Sequence, residues 1–165
     1  MNPILQQLPP SLQKPLLRLA IDFEPGPQPA WWRVIVASVV AIVGSLIADA
    51  LIAAAAIALW PHLKGYQHFM FADYSKLTVI GIIGAAIGWP IVTRISSRPA
   101  RLYGILAILV TLVLLLPDVY IAIQGQPIKA VLALVVMHLA IAVVTYFSMV
   151  LIAPAGARTH VAAAR

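Results

Sequence analysis

Cysteine is absent from this 165-residue chain, so no disulfide, thiolate nucleophile or thiolate-ligated metal can belong to it. Charge is scarce as well. Only 10% of the residues are Asp, Glu, Lys or Arg, against about a quarter in a soluble domain. No P-loop, nucleotide-binding glycine fingerprint or nucleophile–base signature occurs, so a non-catalytic protein is expected, with no cofactor. The formal net charge of +6 invites a nucleic-acid reading. Against it, the cations sit in short segments between apolar runs, where they set membrane topology.

What the chain has in excess is apolar residues, 62% of the total. Four runs hold most of them: Val34 to Trp60, Leu77 to Thr93, Leu102 to Ile123 and Ala130 to Ala153. About 20 apolar residues cross a hydrocarbon core, and runs this uniform lack the alternation of a barrel strand. The expected fold class is therefore all-α, an integral membrane bundle of four transmembrane helices. The flank "FADYS" can lengthen the short second run on its outer side. The first run starts too late and extends too far for a signal-peptide core, so it is read as a retained helix.

Three parts follow: an N-terminal segment at 1–33, a transmembrane domain at 34–153 and a tail at 154–165. Within 1–33, Leu12, Leu16 and Leu19 repeat with helical spacing beside Lys14 and Arg18, and Ser11 could cap that helix. The segment is either a short interfacial helix on an anionic leaflet or a disordered tail. "EPGPQP" is expected to form a stiff linker.

Lys and Arg are distributed unevenly. Lys14, Arg18, Arg33, Arg94, Arg98, Arg101, Arg158 and Arg165 fall on one side of the spans, and Lys64, Lys76 and Lys129 on the other. Positive charge favours the cytoplasm, so both termini are expected inside a bacterial plasma membrane.

Polar residues within the runs are the candidate sites. Asp49 lies about 22 Å along the first helix from Val34, near the midplane. Ala37, Ala41, Ser45, Asp49 and Ala53 recur every four residues, a small-residue stripe that another helix can approach, so Asp49 should face protein. Gly81, Gly84 and Gly88 in "GIIGAAIGW" offer a partner surface on the second span. Pro117 should kink the third span. Asp118 follows it, about 7 Å from the outer helix end, and His138 of the fourth span lies about 12 Å from its own. Asp49, Asp118 and His138 thus share the outer half of the membrane. Asp49 is expected to be neutral or to pair with His138, as packing glue or as a proton-responsive site. Only one His falls within a span, so paired axial ligation of a haem is not expected. His62, His68 and Asp73 of the outer loop form a legal zinc set, but their spacing fits solvated loop residues better, and no metal is expected. Lipid, and beyond it a membrane-protein partner or a second copy of the chain, are the expected partners. A small proton-linked carrier or channel using Asp49 and His138 is the alternative.

The motifs "IADALI", "IGWPIV", "LLLPDVY" and "LALVVMHLAIAV", in that order, resemble an uncharacterised actinobacterial family of small four-helix membrane proteins. The resemblance covers residues 34 to 153, and Met137-His138-Leu139 is its most specific element. It implies four helices, an actinobacterial plasma membrane and no assigned activity. The family carries an amide at the position of Asp49 and a small hydroxyl residue near Asp118, so the two acids here are a departure.

Overall fold

Every loop between the long helices begins at, or contains, a residue that a following proline keeps out of helical conformation. Trp60 stands before Pro61 and Arg98 before Pro99, with φ/ψ of −135°/81° and −124°/63°. These breaks divide the apolar chain into segments that each satisfy their own backbone hydrogen bonds, as a bilayer demands. The computed structural model describes residues 3–24 and 26–155. Within them the chain is all-helical, and most of the tail expected at 154–165 lies outside the described residues.

Two short helices come first, α1 (Pro3–Gln7) and α2 (Pro10–Arg18). Then follow α3 (Trp31–Leu59), α4 (Phe71–Ile95), α5 (Pro99–Leu114), α6 (Leu116–Ile123) and α7 (Ile128–Ile152). Helices α5 and α6 are one span broken at Leu115, just before Pro117, as expected of a proline that removes a backbone donor. Four spans result, of 29, 25, 25 and 25 residues, each long and apolar enough to cross a membrane. Their outer surfaces are almost wholly Leu, Ile and Val. Water would not tolerate such a surface; lipid is its natural solvent.

The N-terminal segment is ordered as helix over 3–7 and 10–18. Ser11 does not cap α2: the helix starts one residue earlier, with Pro10 in its first turn and Pro9 at the cap. Proline is pre-set for that first position and has no N–H to leave unpaired. The chain then crosses the basic end of α4 as a strap. The last turn of a helix leaves carbonyls without intrahelical donors. Here the Gly26 N–H reaches the Thr93 carbonyl and the Phe23 N–H the Ile95 carbonyl, both at 3.0 Å. Ser96 Oγ donates to the Ala20 carbonyl at 2.5 Å. Ala20 and Phe23 pass through positive φ, 63° and 54°, a strain that these contacts hold in place.

Asp22 locks the strap. It accepts from the Ser97 N–H at 2.9 Å, from the Glu24 N–H at 3.1 Å and from the Ser97 hydroxyl. Burial pushes its carboxyl up, but the Ser97 hydroxyl and the backbone N–H groups outweigh that and hold it below the usual carboxylate range. A depressed folded pKa stabilises docking above the ordinary Asp value and loses that stabilisation as pH falls through the depressed one. The protection factors of the amides at residues 20–24, 26 and 28 (intrinsic exchange rate divided by the observed rate at the same pH) should therefore be high at neutral pH and fall below about pH 4. In Asp22→Asn they should be lower and flat across that range. A parent whose strap has equal protection factors at both pH values would refute the lock.

Helix α7 is the hub and touches every other span, most extensively α3. The small-residue stripe of α3 lies on that contact: Ala37, Ala41, Ser45, Asp49, Ala53 and Ala56 are all buried. Its partner is chiefly α7, not the glycine face of α4. A Cβ built on Gly81, Gly84 or Gly88 would meet nothing within 4 Å. Helix α4 turns Thr78, Ile82, Trp89, Val92 and Thr93 inward, and the larger side chains take the core position that the glycines were expected to occupy. The close approach is at Gly44 instead, where a Cβ would lie 3.1 Å from Val144 Cγ1. Gly44→Ala should destabilise the bundle by about 1–2 kcal/mol through overpacking. Thermal unfolding in detergent is the measurement, and adding Val144→Ala should restore the loss. If Gly44→Ala melts with the parent, α3 and α7 are not in close contact there.

Apolar clusters close both ends of the bundle. At the basic end Trp89, Leu102, Tyr103 and Met149 pack with Ala37 and Ala153. At the far end Leu63, Phe69, Leu134 and Met137 pack with Ala53 and Ala130. The buried polar side chains Ser45, Asp49, Thr78, Thr111 and Thr145 fall between these clusters in sequence position along their helices.

Candidate functional site

Asp49 projects from the buried face of α3 and has no exposed surface. The four-residue stripe dictates this, because flanking alanines admit a neighbouring helix at the one depth where lipid would penalise a carboxyl group. Its partner is Thr78, whose hydroxyl donates to Asp49 Oδ2 at 2.9 Å. Sequence reasoning missed Thr78. The available signal was depth: it is a hydroxyl in the N-terminal third of the second span, at a level comparable with Asp49.

His138 and Asp118 meet directly, with Nδ1 and Oδ2 3.1 Å apart. The break before Pro117 starts a fresh helix and turns Asp118 inward toward α7. The same Nδ1 lies 3.0 Å from the Leu134 carbonyl one turn earlier in α7. A carbonyl can only accept, so Nδ1 carries a proton. The N–H is directed to Leu134, and the carboxylate sits beside the same nitrogen as an ion-pair contact, without an aligned donor of its own. The expected pairing of Asp49 with His138 is thus replaced by two pairs, Asp49–Thr78 and Asp118–His138. They remain coupled through space, since His138 is close enough to act electrostatically on Asp49 as well as on Asp118.

Hydrogen bonding in this region is incomplete. Asp49 Oδ1, Asp118 Oδ2, Ser45 Oγ, Thr145 Oγ1 and the Tyr66 hydroxyl are buried without a hydrogen-bond partner. Such groups are costly in a low-dielectric interior unless water or a ligand satisfies them. Tyr66 comes from the loop between α3 and α4, between the 3₁₀ turns Pro61–Leu63 and Gln67–Phe69. Burial raises its hydroxyl pKa, and the nearby Asp118 carboxylate raises it further. His68 of the same loop lies 3.6 Å from Asp73 and adds a second imidazole whose field reaches Asp118. The layer therefore extends from Thr145 and Ser45, deep in the bundle, to loop residues at the far end.

Among the described residues no three His, Asp or Glu side chains converge as metal ligands would. His68 and Asp73 meet as a pair. Of the proposed packing residues, Ser45 is buried on the α3 stripe, while Gly81 and Gly84 face outward and Gly88 is half-buried.

Searches against protein-family models, curated proteins and solved structures found no match for this chain.

Proposed function

We propose that this chain is a non-catalytic membrane protein that acts by associating, through the outward face of α4, with a second copy of itself or with a partner's membrane helix. The observation that carries this reading is the open lane over Gly81, Gly84 and Gly88, where nothing of this chain lies within 4 Å of a built Cβ. Small residues spaced along a lipid-facing helix let another backbone come close, which is how helices associate when lipid removes the hydrophobic drive. The full burial of Asp49 agrees with it, because no substrate reaches that carboxyl group without a rearrangement.

Single-molecule photobleaching in native-membrane discs, with capture of companions, tests the proposal. Gly81→Ile with Gly84→Ile should abolish the association yet change the melting temperature of the monomer little, since both positions are exposed and open around a built Cβ. Unchanged stoichiometry and companions would sink the reading.

A second reading, a proton-linked carrier or channel, is favoured by one specific feature: two buried carboxyl groups, Asp118 in contact with His138 and Asp49 within its electrostatic reach, each have an oxygen that accepts no hydrogen bond. Proteoliposomes loaded with a pH-sensitive dye decide it. Proton flux that Asp49→Asn abolishes would support the carrier, and equal flux in parent and variant would dismiss it.

The basic end is assigned to the cytoplasm of a bacterial plasma membrane on the distribution of Lys and Arg. A cysteine introduced at Gly125 should react with an impermeant reagent added to intact cells, and one at Ser97 should not; the reverse pattern would invert the topology.

A further inference from the structure

At the basic end a pocket of about 390 Å³ is lined by Lys14, Leu17 and Arg18 of α2 and by Arg101 of α5. Three of its four lining residues are cations, and none is acidic. Lys14, Leu17 and Arg18 share one face of α2 by their spacing. Arg101 is brought from far along the chain, and its Nη2 donates to the Arg18 carbonyl at 3.5 Å, so the two helices meet at the pocket. Gathering like charges without a counter-charge is unfavourable in itself, and an anion seated among them reverses the sign of that interaction. The first turn of α5, which carries Arg101, adds the positive end of the helix dipole.

Position identifies the anion. Arg101 lies in the first turn of a membrane-crossing helix, which places the pocket at headgroup level rather than in bulk water. Leu12 and Leu17 of α2 and Leu19 just past its end are all at least 40% exposed, which suits acyl chains better than solvent. We propose that Lys14, Arg18 and Arg101 form a headgroup site for an anionic phospholipid of the leaflet at the basic end. The phosphate sits among the three cations, and Leu17 lies against the glycerol and upper acyl chain. The inference is independent of the α4 association proposed above, because it uses a different surface.

The test is lipid retention on the purified full chain, read by native mass spectrometry during titration with phosphatidylglycerol, phosphatidylcholine, inorganic phosphate or glycerol phosphate. Phosphatidylglycerol should survive detergent conditions that strip phosphatidylcholine. Arg18→Gln with Arg101→Gln should weaken phosphatidylglycerol about 25-fold, roughly fivefold for each charge near an anionic surface, and leave phosphatidylcholine unchanged. Arg33→Gln with Arg94→Gln removes equal charge from the same end outside the pocket and should change retention far less than the pocket pair does. Lys14→Gln alone, an exposed change that spares the fold, should give about a fivefold loss, and Arg18→Lys with Arg101→Lys should keep most of the affinity. Equal losses in the two Gln pairs would mean general surface attraction and overturn the proposal. Free phosphate binding as well as the lipid, or no loss in Lys14→Gln, would overturn it too.

Discussion

Replacing Trp89 by Ala is expected to cost the bundle about 3 kcal/mol, enough to unfold a large fraction of it in mild detergent. Trp89 is only 1% exposed and is the largest fully buried side chain. Its ring meets Tyr103 edge-on at 5.0 Å, and its indole N–H donates to the Ala153 carbonyl at 2.8 Å. That carbonyl lies just past the last turn of α7, so the indole ties the end of one span to the middle of another. In water the truncation of a buried aromatic costs about 3–5 kcal/mol. The lower value is expected here because lipid, unlike water, does not penalise the apolar surface of the unfolded helices, leaving the cavity and lost dispersion as the main terms. Trp89→Phe refills most of the space but strands the Ala153 carbonyl, for a loss of about 1–3 kcal/mol. Equilibrium unfolding in mixed micelles gives both numbers. A Trp89→Ala protein that unfolds with the parent would show that the basic end is not packed around this ring.

The second large effect concerns Asp118 and His138. Removing one partner of a fully buried charged pair leaves the other uncompensated and costs about 3–5 kcal/mol, whereas replacing both with apolar groups is often neutral. The Asp118 side chain is buried but that of His138 is 29% exposed, so Asp118→Leu should be destabilised by less than that, and Asp118→Leu with His138→Leu should recover most of the loss. The coupling read from this double-mutant cycle is the contribution of the pair. Additive single effects would mean that the 3.1 Å contact carries no charge interaction. The cycle also bears on function. A stable but inactive double variant would assign the pair to activity, and a stable, active one would assign it to packing alone.

These variants sit on features of different legibility. The number of spans, their limits and the burial of Asp49 follow from local pattern. Apolar run length against bilayer thickness decides the first, X-Pro steps such as Trp60-Pro61 and Arg98-Pro99 the second, and the four-residue repeat of Ala37, Ala41, Ser45 and Ala53 around Asp49 the third. Each depends on one helix and its solvent, so no knowledge of neighbours is needed. The break ahead of Pro117 is equally local.

Which helices meet, and by which faces, is decided only in three dimensions. Gly81, Gly84 and Gly88 form the most conspicuous packing motif in the chain, yet Gly81 and Gly84 face outward and Gly88 is only half-buried, because α4 also carries Thr78, Ile82, Trp89 and Thr93 on another face and a helix can turn only one face to the core. A pattern of small residues records that a helix can be approached closely; it does not say by what. For the same reason depth alone brought Asp49 and His138 together on paper. Depth is additive along a helix axis, but the azimuth that hands Asp49 to Thr78 and His138 to Asp118 depends on the packing of all four spans at once. The basic pocket is the extreme case: Arg101 meets Lys14 and Arg18 only because the strap through Asp22 and Ser97 anchors the N-terminal segment to the loop that leads into α5.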